Sequence, residues 1–136
     1  MKVLMFGWEF PPHNQGGLGT ACEGLVKGLT SQDTSVTLVL PRQQECHIPG
    51  CRIVSPEFKK IMVASLLQGY TTSESYDALW VNQGKPSLYG RNLFAEVARY
   101  SASVEDVVQE EEFDVIHAHD WLTYQAGLVA KKMSGK

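Results

Sequence analysis

Two short stretches of this sequence suit chemistry on a charged or hydroxylated ligand. The first is Asn14-Gln15-Gly16-Gly17-Leu18-Gly19. Glycines let a backbone approach a ligand closely. Here they open an apolar-periodic segment, where free helix N–H groups and the helix dipole favour an anion such as a diphosphate. The competing reading is a loop whose glycines take positive φ to turn into a helix. The second stretch is His117-Ala118-His119-Asp120-Trp121. His119, just past a strand, is a candidate for contact with substrate. Asp120 reads as the N-cap of the next helix and also as a substrate-binding candidate. His117 reads as a satisfied, half-buried histidine, and Trp121 as core or rim packing.

Other chemistries fit less well. A dinucleotide fingerprint would need a third small residue three positions after Gly19, where Cys22 stands. It would also follow its strand directly, whereas these glycines come about ten residues later. No Gly-Lys-Ser/Thr follows, which excludes a Walker loop. Cys46-His47 with Cys51 has the wrong spacing for a zinc knuckle and no second half. His117 and His119 at i, i+2 have no third ligand placed beside them. The expectation is therefore no metal and no cofactor.

The elements that must position these residues alternate. Lys2-Val3-Leu4-Met5-Phe6 is a nearly continuous apolar run, as in a strand buried on both faces of a parallel sheet. A loop over residues 8–17 follows, broken by Pro11, Pro12, Gly16 and Gly17. Leu18, Ala21, Cys22, Leu25, Val26 and Leu29 then recur at helical period. Residues 36–40 read as a second buried strand, completing a βαβ unit. Residues 52–55 and 61–64 read as short strands, 73–79 as a short helix and 80–91 as a loop. Asn92 reads as an N-cap of a helix in which Leu93, Val97, Tyr100, Val104 and Val108 keep the spacing. Glu110, Glu111 and Glu112 oppose the helix dipole and read as a solvated turn. A strand over 115–117, with His119 in an exposed turn, leads to a last helix ending before Gly135. Strand–helix alternation predicts a doubly wound, Rossmann-like α/β fold with a mainly parallel sheet.

The bulk properties agree. The 136 residues are 43% hydrophobic and 20% charged with a net charge of −3, near the globular average. That balance favours neither nucleic acid nor an anionic membrane. Apolar runs stop far short of the roughly 20 residues that span a bilayer, and the start fails as a signal peptide because Glu9, Pro11 and Pro12 interrupt it. Three cysteines form no dense framework, which points to a reduced, cytoplasmic protein.

The opening residues 2–12 (Lys-Val-Leu-Met-Phe-Gly-Trp-Glu-Phe-Pro-Pro), the Gly16-Gly17-Leu18-Gly19 loop and Phe113-Asp114-Val115-Ile116-His117-Ala118-His119-Asp120-Trp121 together resemble the N-terminal half of group 1 glycosyltransferases, the relatives of bacterial glycogen and starch synthases. Tyr89-Gly90-Arg91-Asn92-Leu93-Phe94 resembles the same group, and the likeness is weakest over residues 43–80. The resemblance implies a GT-B architecture of two doubly wound domains facing a cleft. This chain would be an incomplete N-terminal, acceptor-side domain, residues 1–136, without the C-terminal nucleotide-sugar domain. It would be a fragment of a retaining enzyme, inactive alone, that moves sugar from a donor such as UDP- or ADP-glucose to a carbohydrate acceptor. By the same resemblance Gly16 and Gly17 reach the donor diphosphate, His119 lies near the transferred sugar, and Glu9 and Asp120 bind substrate. Glycogen and starch synthases carry a Lys two residues before the glycine pair. Asn14 stands there, so that cation is missing, which counts against a glucan synthase in particular. The alternatives are a non-catalytic carbohydrate- or partner-binding module of the same fold, and a flavodoxin-like or dinucleotide-binding domain. The Pro-containing loop before the glycines counts against the latter.

Overall fold

A computed structural model describes residues 1–14, 16–56 and 93–136. The expected strand at 61–64, helix at 73–79, loop at 80–91 and cap at Asn92 lie outside the described residues. Along the chain come β1 (Lys2–Phe6), α1 (Gly17–Thr30), β2 (Ser35–Val39), β3 (Cys51–Val54), α2 (Leu93–Glu110), β4 (Val115–Ala118) and α3 (Trp121–Ser134). The strands form one sheet in the order β3-β2-β1-β4. Every pairing is parallel: Val3 faces Val36 on one side and Val115 on the other, and Val36 faces Cys51. The fold is thus α/β and Rossmann-like, as the alternation predicts.

β1 is a continuous apolar run because both of its faces are covered. Val3 and Met5 join Cys22, Val26, Val36, Leu38 and Ile53 in a core under α1. Leu4 and Phe6 join Tyr100, Val104, Leu122 and Ala126 in a second core under α2 and α3. The helix α1 rests on the sheet along a narrower seam than its spacing predicts. Cys22 and Val26 are fully buried, whereas Ala21 and Leu25 at the flanks are exposed. Leu18 reaches the core on the opposite face.

No helix forms between β2 and β3. The connection over residues 41–50 is irregular, and Cys46 and Ile48 pack from it onto the α1-side core. The acidic run after α2 is only partly a solvated turn. Glu112 is exposed and pairs with Lys2 Nζ at 2.8 Å, but the Glu111 side chain is only 14% exposed and pairs with Arg52 of β3. α3 ends as its sequence predicts, with Gly135 at φ 74° donating its N–H to Lys131 O. Among the described residues no helix is long and apolar enough to cross a membrane.

Candidate functional site

The chain leaves β1 for β2 on one side of the sheet and later returns to β4 on the other. In open parallel sheets the crevice outside the strand ends at such a reversal is where ligands bind. Both stretches singled out from the sequence start there. One follows β1 and leads to Gly16 and Gly17, and the other follows β4 through His119 and Asp120.

β4 runs further than its sequence predicts. It includes Ala118, and the His119 N–H donates to Phe6 O at 3.0 Å, so β-type pairing persists through His119. His119 is therefore half-buried against the sheet rather than in an exposed turn. Its ring lies 5.7 Å from that of His117, with the planes 37° apart. This is the same-side placement that alternation gives to residues two apart on a strand. His117 pairs in register with Met5, a residue of the α1-side core. Its Nε2 is buried with no hydrogen-bond partner among the described residues, contrary to the expectation of a satisfied histidine. Burial, and then the neighbouring His119, pull its pKa below the ordinary 6.5. His117 is accordingly a neutral imidazole near pH 7.

Asp120 caps α3. Its Oδ1 accepts from Leu122 N–H at 2.9 Å, and the Thr123 hydroxyl accepts from Asp120 N–H at 3.3 Å. Burial raises its carboxyl pKa, while the Leu122 N–H bond and His119 pull it down.

The start of α1 has the opposite character. Gly16 is its N-cap, at φ −153° and ψ −171°, and Gly17 is its first helical residue. Neither is among the positive-φ residues, which removes the reading in which these glycines exist to make a left-handed turn. Gly16 brings no side chain to cap the helix, and the first turn contains no acid. The orphan N–H groups of this helix end thus have none of the compensation that Asp120 gives α3.

Gly19 is a glycine that the loop geometry demands. A Cβ there would stand 2.4 Å from Asn14 Cβ. Asn14 uses that space to bridge the loop to the helix, its Nδ2 donating to Gly16 O and to Thr20 Oγ1, each at 3.2 Å. Asn14 is thus a brace for the loop.

The segment between β1 and Asn14 straddles the edge of the sheet. Trp8 belongs to the core under α2 and α3, and Phe10 to the core under α1. Glu9 sits between them and is only 5% exposed, so the substrate-binding candidate at this position is enclosed by the loop. Trp8 packs edge-on against Tyr100, 5.3 Å between centroids. The Tyr100 hydroxyl lies 3.0 Å from Val39 O and 3.2 Å from Gly7 O, sharing its proton between the ends of β2 and β1. Sequence reasoning took Tyr100 as one more apolar position in α2. The available signal was its hydroxyl, because a buried tyrosine needs a partner. Among the described residues no cluster of three or more His, Cys, Asp or Glu is placed to hold a metal ion.

A sequence model of the family described as the starch synthase catalytic domain matches residues 2–136. The chain is 26% identical over 127 residues to an uncharacterised glycosyltransferase of Methanocaldococcus jannaschii, covering 93% of this chain and 27% of that protein. It is 27% identical over 149 residues to a glycogen synthase of Pseudothermotoga lettingae, covering 95% of this chain and 30% of that one. A glycogen synthase of Chlamydia trachomatis is 26% identical over 145 residues, with 96% and 30% covered. The chain spans under a third of the length of these curated relatives.

Proposed function

The chain belongs to the starch synthase catalytic domain family, and on that ground we propose that it is the acceptor-side part of a retaining glycosyltransferase of GT-B architecture. It works with a second, nucleotide-sugar-binding domain in the cytoplasm. The reaction moves a sugar from a nucleotide-sugar donor, such as UDP- or ADP-glucose, to a glycan or other hydroxyl acceptor. No nucleic acid, cofactor or metal takes part.

The observation that carries this reading is the uncapped, acid-free start of α1 at the reversal point of the sheet. A departing nucleoside diphosphate gains negative charge as the glycosidic bond breaks. Fixed N–H dipoles at Gly16 and Gly17 stabilise that charge without having to reorganise. His119 offers hydrogen bonds to hydroxyls of the transferred sugar. Glu9 and Asp120 hold the acceptor side, Asp120 while also capping α3.

The test uses protein isolated at its native length from its source, with radiolabelled nucleotide sugars and a panel of carbohydrate acceptors that includes a glucan. Label should enter one of the acceptors. His119→Ala should lower kcat on the order of tenfold, the worth of one hydrogen bond to substrate, with an unchanged melting curve. Equal turnover in wild type and variant would remove the role given to His119. Glucan binding without any transfer would replace the enzyme by the carbohydrate-binding module.

A further inference from the structure

The irregular connection between β2 and β3 carries Cys46, and β3 opens with Cys51. Both cysteines are free and half-buried. Both pack on the α1-side core together with Ile48, and burial, then the adjoining Cys46, raise the Cys51 thiol pKa. They share one cleft of about 360 Å³ with Gln43, Gln44 and Arg52. Cys22, the remaining cysteine, is fully buried under α1. Two neighbouring thiols, one on an irregular segment and one at the start of β3, both lining an open cleft, are placed to be joined by a small adjustment of the irregular segment. We propose that Cys46 and Cys51 form a redox-modification site, a dithiol that a small-molecule disulfide such as oxidised glutathione converts into a disulfide bond.

The exchange is balanced. The Cys46 thiolate attacks one sulfur of oxidised glutathione, forming a mixed disulfide and expelling one glutathione thiolate. Cys51, once deprotonated, attacks the Cys46 sulfur and expels the second. The two protein thiols are oxidised, oxidised glutathione is reduced to two glutathione molecules, and those molecules take up the two protons. Burial holds the Cys51 thiol far above its ordinary range, so the closing step is the slow one and accelerates with pH.

The bond would act on the candidate site through Gln44, two residues from Cys46. Its Nε2 donates to Phe10 O at 3.3 Å and to Pro11 O at 3.1 Å, inside the loop that carries Glu9. Gln43 beside it accepts from Ser55 N–H at 3.0 Å, at the end of β3. A sulfur–sulfur bond of about 2 Å is shorter than any contact between two unbonded thiols. Oxidation therefore draws this segment toward β3 and pulls on the loop after β1.

The test is to incubate the native protein with oxidised glutathione, alkylate it, and map the cysteines by mass spectrometry. The intact mass should fall by two hydrogen atoms, and one peptide pair should link Cys46 to Cys51. Cys22 should be alkylated only after unfolding, and dithiothreitol should reverse the change. Cys46→Ser and Cys51→Ser should each abolish the species, and Cys22→Ser should leave it intact. A persistent glutathione adduct without linkage, a bridge involving Cys22, or two alkylatable thiols with no reaction would each overturn the proposal. The mapping on the wild-type chain decides it even where a serine variant folds poorly.

Discussion

Replacing Gly19 by alanine separates the geometry of the glycine loop from the stability of the helix behind it. The added methyl would meet Asn14 Cβ at 2.4 Å, where ordinary contact begins near 3.4 Å, so the Asn14 end of the loop must retreat by about 1 Å. Cβ is fixed to the backbone, and no rotamer of Asn14 relieves the clash. The retreat breaks the bonds from Asn14 to Gly16 O and Thr20 Oγ1, about 1 kcal/mol each. Alanine in place of glycine within a helix returns about 1 kcal/mol. The net cost is about 1 kcal/mol, a melting shift of roughly 3–4 °C in a chain of this size. Gly16 thereby loses its brace, and a displacement of about 1 Å in a group that positions substrate costs on the order of a hundredfold in rate. The assay pairs a melting curve with turnover of nucleotide sugar, for wild type, G19A, N14G and the double variant. Removing Asn14 Cβ removes the obstacle, so in the N14G background G19A should cost nothing further in rate. Turnover of G19A within a few fold of wild type would refute the reasoning. So would a full hundredfold loss on adding G19A to N14G.

Three further outcomes follow from the geometry. Tyr100→Phe removes the hydroxyl shared by Val39 O and Gly7 O and should lower stability by about 1–2 kcal/mol; a melting curve unchanged from wild type would show that neither carbonyl depends on it. Asp120→Ala should cost about 1 kcal/mol through loss of the α3 cap, while Asp120→Asn should keep that stability, both read by urea unfolding; an Asn variant as weak as the Ala variant would contradict a capping role. His117 should make the protein acid-sensitive. Burial lowers its folded pKa below 6.5, so as pH falls the unfolded chain takes up the proton first. Stability from this group is complete above 6.5 and is lost as pH drops through 6.5 toward the lowered value. His117→Gln should flatten the stability profile as pH falls below 6.5, and parallel profiles would refute the assignment.

The parts of the fold legible in sequence are those where one physical demand dominates. Leu4, Met5 and Phe6 form an unbroken apolar run because two helical layers press on β1, and that burial alone identifies a central parallel strand. The α3 boundaries were readable because Asp120 and Gly135 satisfy backbone groups locally. Long-range partnerships were not readable. Nothing near Glu111 in the sequence indicates that Arg52 answers it, so an acidic triplet looks solvated. The helical stripe overstated the buried face of α1 because spacing cannot say how much of a helix the sheet will cover. Leu25 stays exposed and Leu18 crosses to the other core. At the candidate site the glycines were visible but their duties were not. Gly16 and Gly17 do not take positive φ, whereas Gly19, read as part of the motif, has no room for a side chain against Asn14. The persistence of pairing through His119 depends on Phe6 O, which no local pattern in residues 115–120 reveals.

The sheet order has a consequence for synthesis. β1 finds its first partner early, at Ser35–Val39, but its second, β4, leaves the ribosome only after about 75 more residues. At about 5–20 residues per second that interval lasts roughly 4–15 seconds. During it the layer under α1 can assemble, because Val3, Met5, Cys22, Val26, Val36 and Leu38 have all been made. Leu4 and Phe6 on the reverse side still await Tyr100, Val104 and Leu122, and one edge of β1 stands open. A nascent chain paused in this window presents a greasy, half-roofed ribbon. That is the stage at which a holding chaperone would have most to grip, and at which slowed translation would do most harm.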